Sequence, residues 1–148
     1  MYQRILVPLD GSSVAEEAIP YALELCRLSG GTLTLVRVAP SAIVPPAMYS
    51  MTDVETWSII QGQMQEDAQV YLAEVAARPE VAAAQPRRLV IAGDVGESLL
   101  ALIQRDSFDV LVMATRDRKQ PVRWVLGSTA DYMVQRASIP VLLVRQDT

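Results

Sequence analysis

The chain has 148 residues, 51% of them apolar and 20% charged, with a formal net charge of −4. This fits one ordered globular domain over residues 1–148 with a substantial core, and the acidic balance argues against a general nucleic-acid binder. There is no histidine and a single cysteine, Cys26, which excludes an internal disulfide, His or paired-Cys metal ligation and the usual Ser/Cys triads.

In chain order, Ile5 to Leu9 is an apolar run that stops at Pro8-Leu9-Asp10-Gly11, a strand closed by a turn. No charged-then-apolar leader precedes it, so a cytoplasmic location is expected. Ser13-Val14-Ala15-Glu16 matches a capping box and predicts a helix with Ala18, Ala22, Leu25 and Cys26 facing inward, ended by Gly30-Gly31. Cys26 reads as a core thiol. Leu33 to Val38 predicts the second strand. Residues 39–51, with Pro40, Pro45 and Pro46, read as a loop. Thr52-Asp53-Val54-Glu55 is a second capping-box match. Trp57, Ile60, Met64, Tyr71 and Val75 then mark one face of a long helix that Pro79 stops, with 80–86 a connection.

Leu89 to Ala92 predicts the third strand, and Gly93-Asp94-Val95-Gly96 a turn into a helix over Glu97 to Arg105. Val110 to Ala114 is the fourth strand. Ser128 to Arg136 is the last helix, with Ala130, Met133, Val134 and Ala137 inward, and Val141 to Val144 is the fifth strand. No apolar run approaches the ~18 residues of a membrane span. Strands alternate with helices and read as continuous apolar runs, which implies burial on both faces. The fold class is α/β: a doubly wound five-stranded parallel sheet with helices on both faces. Sequence alone leaves the strand order open. Ligands in such sheets bind beyond the carboxyl ends of the strands, where the winding reverses.

The stretch from Asp109 to Val144 is the most informative. After the strand D-V-L-V-M-A-T comes a segment with Arg116, Arg118, Lys119 and Arg123 against Asp117, a local surplus of three positive charges. It leads to a helix opened by Gly127, Ser128 and Thr129, whose free N–H groups suit an anion such as a phosphate. The bland alternatives are a solvated basic loop and an ordinary cap, Ser128 with Asp131 three residues on. The cations sit in a Pro-containing stretch without an apolar helix face, so membrane binding is not indicated.

This stretch resembles the C-terminal half of universal stress protein domains, whose signature is Gly-x-x-Gly, nine residues, then Gly-Ser/Thr. Here the corresponding positions are Ala114 to Asp117, nine residues (Arg118 to Leu126), then Gly127, Ser128 and Thr129. The spacing and the third glycine are kept; Ala114 and Asp117 replace the first two glycines. I-L-V-P-L-D-G-S at Ile5 to Ser12, L-T-L-V-R-V at Leu33 to Val38 and G-D-V-G-E-S-L-L at Gly93 to Leu100 extend the likeness over essentially the whole chain.

The resemblance implies strand order 3-2-1-4-5 and a site between the first and fourth strands. It implies an aspartate, Asp10, at the nucleoside end of an adenine nucleotide (ATP or AMP), where the bland reading of Asp10 is a turn carboxylate. It adds backbone or apolar contacts at Pro8, Leu9, Val38 and Met113, and phosphate contacts at Ala114, Asp117, Gly127, Ser128 and Thr129. Magnesium would come only with the nucleotide. The resemblance also implies a stress-response role and a homodimer through the 141–144 edge strand. With no histidine or positioned base, no enzyme activity is expected. Asp117 brings a negative charge toward the phosphates and takes a positive φ less freely than glycine. The alternative therefore stays open: a nucleotide-free dimeric interaction module that has lost its ATP site. A third reading, an adenylating hydrolase of related fold, needs a further substrate domain or lid.

Overall fold

The computed structural model describes residues 1–40, 54–115 and 127–145. Strands β1 (Arg4–Pro8), β2 (Thr32–Ala39), β3 (Arg87–Ala92), β4 (Val110–Thr115) and β5 (Val141–Arg145) form one sheet in the order β3-β2-β1-β4-β5. Every neighbouring pair is parallel. This is the doubly wound sheet, order 3-2-1-4-5, that the apolar runs and the resemblance led us to expect.

The central strands are apolar on both sides because each side meets its own core. Ile5, Val7, Leu33, Leu35, Val110 and Val112 pack under α2 (Ile19–Ser29) and α3 (Val54–Ala76). Leu6, Val36, Val38, Leu111 and Met113 pack under α5 (Val95–Asp106) and α6 (Ser128–Arg136). The alternation thus survives inside runs that look uniformly apolar. The edge strand β3 departs from that pattern: Arg87, Arg88 and Ala92 are exposed, and Leu89, Val90 and Ile91 are only half-buried.

The first helix is two helices. A single turn, α1 (Ser13–Glu16), precedes α2, whose Pro20 lies in the opening turn. The N-cap of α1 is Ser12, not Ser13: its hydroxyl accepts from the Ala15 N–H. Glu16 does not fold back as a capping box would. It pairs with Arg78 and accepts from the Tyr71 hydroxyl at 3.0 Å, tying α1 to α3. Helix α3 ends at Ala76, and a further turn, α4 (Pro79–Ala82), occupies what the sequence suggested was plain connection; proline is favoured at such a start. On α3 the buried side is Ala68, Leu72 and Val75, with Trp57, Met64 and Tyr71 half-buried, whereas Ile60 is exposed. On α6, Ala130 and Met133 are buried but Val134, expected to face inward, is 48% exposed. Cys26 is half-buried, and burial pushes its thiol pKa up. The Thr52–Asp53 start of the second capping box and loop residues 41–51 lie outside the described residues.

Where the winding reverses, the two central strands part. β1 and β4 are in register at only two positions, Ile5 with Val110 and Leu6 with Leu111. Beyond them each strand follows its outer neighbour. β1 continues along β2 through Pro8 opposite Val36, and the Leu9 N–H donates to the Val36 carbonyl at 2.8 Å. β4 continues along β5 to Thr115 opposite Arg145. The carboxyl ends of β1 and β4 therefore diverge and leave a crevice.

Candidate functional site

A cavity of about 260 Å³ fills this crevice. Pro8, Leu9 and Asp10 reach it from the end of β1, Val38 from β2, Met113 and Ala114 from β4, and Gly127 and Thr129 from the start of α6. Eight of the expected site residues thus meet around one space. Ser128, the first residue of α6, is exposed and is not among the lining residues. Asp117, with Arg116, Arg118, Lys119 and Arg123, lies outside the described residues.

Six further lining residues are not among the expected contacts: Ser12, Val14 and Ala15 around α1, Val95 at the start of α5, Thr115 at the end of β4, and Ala130 on α6. Most carry no local sign of such a role, since only the winding of the chain brings them here. Thr115 did offer a signal: it is the polar residue that ends the apolar run V-L-V-M-A-T.

The walls are largely apolar. Leu9 is 3% exposed, Val38 9% and Met113 5%. Asp10 provides the one charge among the described lining residues. Its Oδ1 accepts from the Ser12 N–H at 2.8 Å and from the Ser12 hydroxyl at 2.5 Å, a local turn that also aims the Ser12 oxygen at the Ala15 N–H. The turn role considered for Asp10 is therefore real. It uses one carboxylate oxygen; Oδ2 has no hydrogen bond among the described residues and remains available to a donor.

On the same cavity, α6 begins with Gly127 as its N-cap and with no side-chain cap among the described residues, so Ser128 does not close the helix with Asp131. The N–H groups of the first turn have no intrahelical acceptors, and the helix dipole adds partial positive charge. Gly127 has φ −56° and ψ 155°, a conformation open to any residue. A β-carbon there would stand 3.6 Å from Thr115 Oγ1, an ordinary contact. Neither the backbone nor the packing of the described chain requires glycine at this position. Among the described residues the cavity thus offers largely apolar walls, a carboxylate with one oxygen unbonded, and a helix start without a side-chain cap. Those features fit a molecule with a hydrogen-bonding polar part, an apolar ring and an anionic end.

The family model described as "Universal stress protein family" matches residues 1–145. The universal stress protein MJ0531 of Methanocaldococcus jannaschii is 24% identical over 149 residues, covering 99% of this chain and 84% of the relative. Among solved structures, the universal stress protein UspA of Lactobacillus plantarum superposes with TM-score 0.77 at 22% identity, covering 97% of this chain and 98% of that one. An Arabidopsis thaliana protein of the same family, solved with AMP bound, superposes with TM-score 0.61 at 14% identity, covering 97% of this chain and 92% of that one. No described helix is long and apolar enough to cross a membrane. The strand order, the crevice it opens and the match over nearly the whole chain agree: this chain belongs to the universal stress protein family.

Proposed function

We propose that this protein, as one cytoplasmic domain over residues 1–148, binds an adenine nucleotide in the crevice between β1 and β4 and serves in a stress response without efficient hydrolysis. The observation that carries the reading is the cavity at the parted strand ends, lined both by a carboxylate and by a helix start without a side-chain cap among the described residues. The base and ribose lie among Leu9, Val38 and Met113, with Pro8 at the β1 end and Asp10 Oδ2 accepting from a ribose hydroxyl. The phosphate end meets Ala114, Gly127, Ser128 and Thr129. An AMP-bound member of the family supports that class of ligand. Magnesium, when a polyphosphate is bound, is held mainly by the phosphates. The test is heat release and mass detection of nucleotide from undialysed protein, followed by calorimetric titration with ATP and AMP. A co-purified nucleotide or a micromolar Kd supports the reading; no nucleotide and no heat at millimolar ligand overturns it.

The second reading, a nucleotide-free interaction module, is favoured by one observation: Ala114 and Asp117 stand where the family signature has glycines. In both readings the protein is a homodimer through β5, whose free edge carries Leu142 at 39% exposure.

A further inference from the structure

Thr115 ends β4 and Gly127 precedes α6. They are joined across twelve positions of sequence: the Gly127 N–H donates to Thr115 Oγ1 at 3.1 Å. Thr115 is 5% exposed and, with Thr34, is one of two buried polar residues among those described. A buried hydroxyl has an acceptor and a donor to satisfy. The acceptor is satisfied by Gly127. The hydroxyl proton has no acceptor among the described residues, and Thr115 lines the cavity.

The bond decides which groups of the helix start can meet a ligand. An uncapped α-helix offers the N–H groups of its cap and first turn together. Here the Gly127 N–H is turned inward and committed to Thr115. Among the described residues the N–H groups of Ser128 and Thr129 have no acceptor, because the first helical bond back to Gly127 comes from Asp131.

We propose that Thr115 is a positioning residue of the site. Its hydroxyl fixes the start of α6 against the end of β4 and withdraws the Gly127 N–H from the ligand. An anionic oxygen is then met by the Ser128 and Thr129 N–H groups and by the Thr115 O–H proton. The ligand half of this inference rests on the nucleotide reading; the fixing of the helix start does not.

The test compares Thr115→Val, nearly isosteric but without the hydroxyl, with Thr115→Ser, which keeps it. Two quantities are read: exchange of the Gly127 amide by NMR, and the Kd for AMP by calorimetry. Expected in Thr115→Val are Gly127 exchange at least about tenfold faster and a Kd raised about tenfold or more, the scale of one lost hydrogen bond. Thr115→Ser should stay within about threefold of the parent in both, since the bond persists. Equal Gly127 exchange in all three proteins overturns the proposal. So does a Thr115→Ser variant as weak for AMP as Thr115→Val, which would assign the effect to the methyl. If Thr115→Val fails to fold, Thr115→Ala removes the hydroxyl with less demand on space and is judged by the same outcomes. A parent protein that binds no AMP overturns the nucleotide reading alone, and the Gly127 exchange still decides for or against Thr115.

Discussion

The α-carbon of Gly96 faces the ring of Tyr132: a β-carbon at Gly96 would lie 2.5 Å from the ring's Cδ1. Arg136 also meets that ring, its guanidinium 4.2 Å from the ring centre. Gly96 is in the first turn of α5 and Tyr132 is on α6, so this contact sets how closely the two helices approach beside the cavity. Alanine is the better helix former by about 1 kcal/mol, yet overpacking should win. Gly96→Ala is expected to lose about 1–3 kcal/mol in urea unfolding. Tyr132→Leu should relieve part of that loss in a double-mutant cycle. A stable Gly96→Ala protein would show that the helices can separate freely.

Gly127→Ala should behave in the opposite way. Its backbone is in an ordinary region and its β-carbon has room, so stability should change by no more than about 0.5 kcal/mol. If phosphate approaches the backbone here, the added methyl intrudes on the ligand alone, and AMP affinity should fall about tenfold. Unchanged AMP affinity would mean that the ligand does not lie against this residue.

Restoring the signature glycines tests the second reading. The double variant Ala114→Gly and Asp117→Gly removes a methyl and a negative charge. It should tighten ATP binding by about tenfold or more if these residues oppose the phosphates. A variant that binds ATP where the parent does not would favour a lost site and the interaction module. Identical affinities would remove the glycines from the argument.

Tyr71 predicts a dependence on alkaline pH. Burial, and then the hydrogen bond to Glu16, raise its phenol pKa above the ordinary value of 10.0. The folded protein therefore keeps a proton that the unfolded chain has released. The stabilisation is complete below about pH 10 and declines as pH rises above it. Tyr71→Phe should flatten that decline and, at neutral pH, lose about 0.5–1.5 kcal/mol with the bond to Glu16. Parallel stability–pH curves for the two proteins would count against this account.

The edge strand gives a test of assembly. Leu143 is partly buried against the α5–α6 core, so a charge there would disturb the fold as well as an interface. Leu142 is exposed and avoids that ambiguity. Leu142→Lys should leave thermal stability nearly unchanged and shift the protein from dimer to monomer in size-exclusion with light scattering. A parent that is already monomeric would refute pairing through β5.

The architecture was legible because burial on both faces leaves a run such as Val110 to Met113 few other places to go. Local competition was less legible. Ser13 to Glu16 fits a capping box as a string, but Asp10 captures Ser12 and moves the cap one residue earlier. Val134 has the right helical spacing for a core residue, yet it is exposed, and spacing alone does not say what a helix face will meet. The site was read from the strand ends and the helix start, where turn chemistry marks the sequence. Val14, Ala15 and Val95 left no mark, because small and branched apolar residues look alike whether they wall a cavity or fill a core. Thr115 stood at the end of its strand as a residue of the wrong polarity, a visible sign whose partner lay too far along the chain to infer.

The parting of β1 and β4 after Leu6 and Leu111 has an evolutionary consequence. The cleft is made by backbone connectivity, since each central strand must accompany a different outer neighbour. Point substitutions at its rim therefore alter what the cleft recognises and leave the cleft itself standing. A lineage carrying this fold can lose a glycine, exchange one ligand for another or keep none, and still inherit an empty space at the same address.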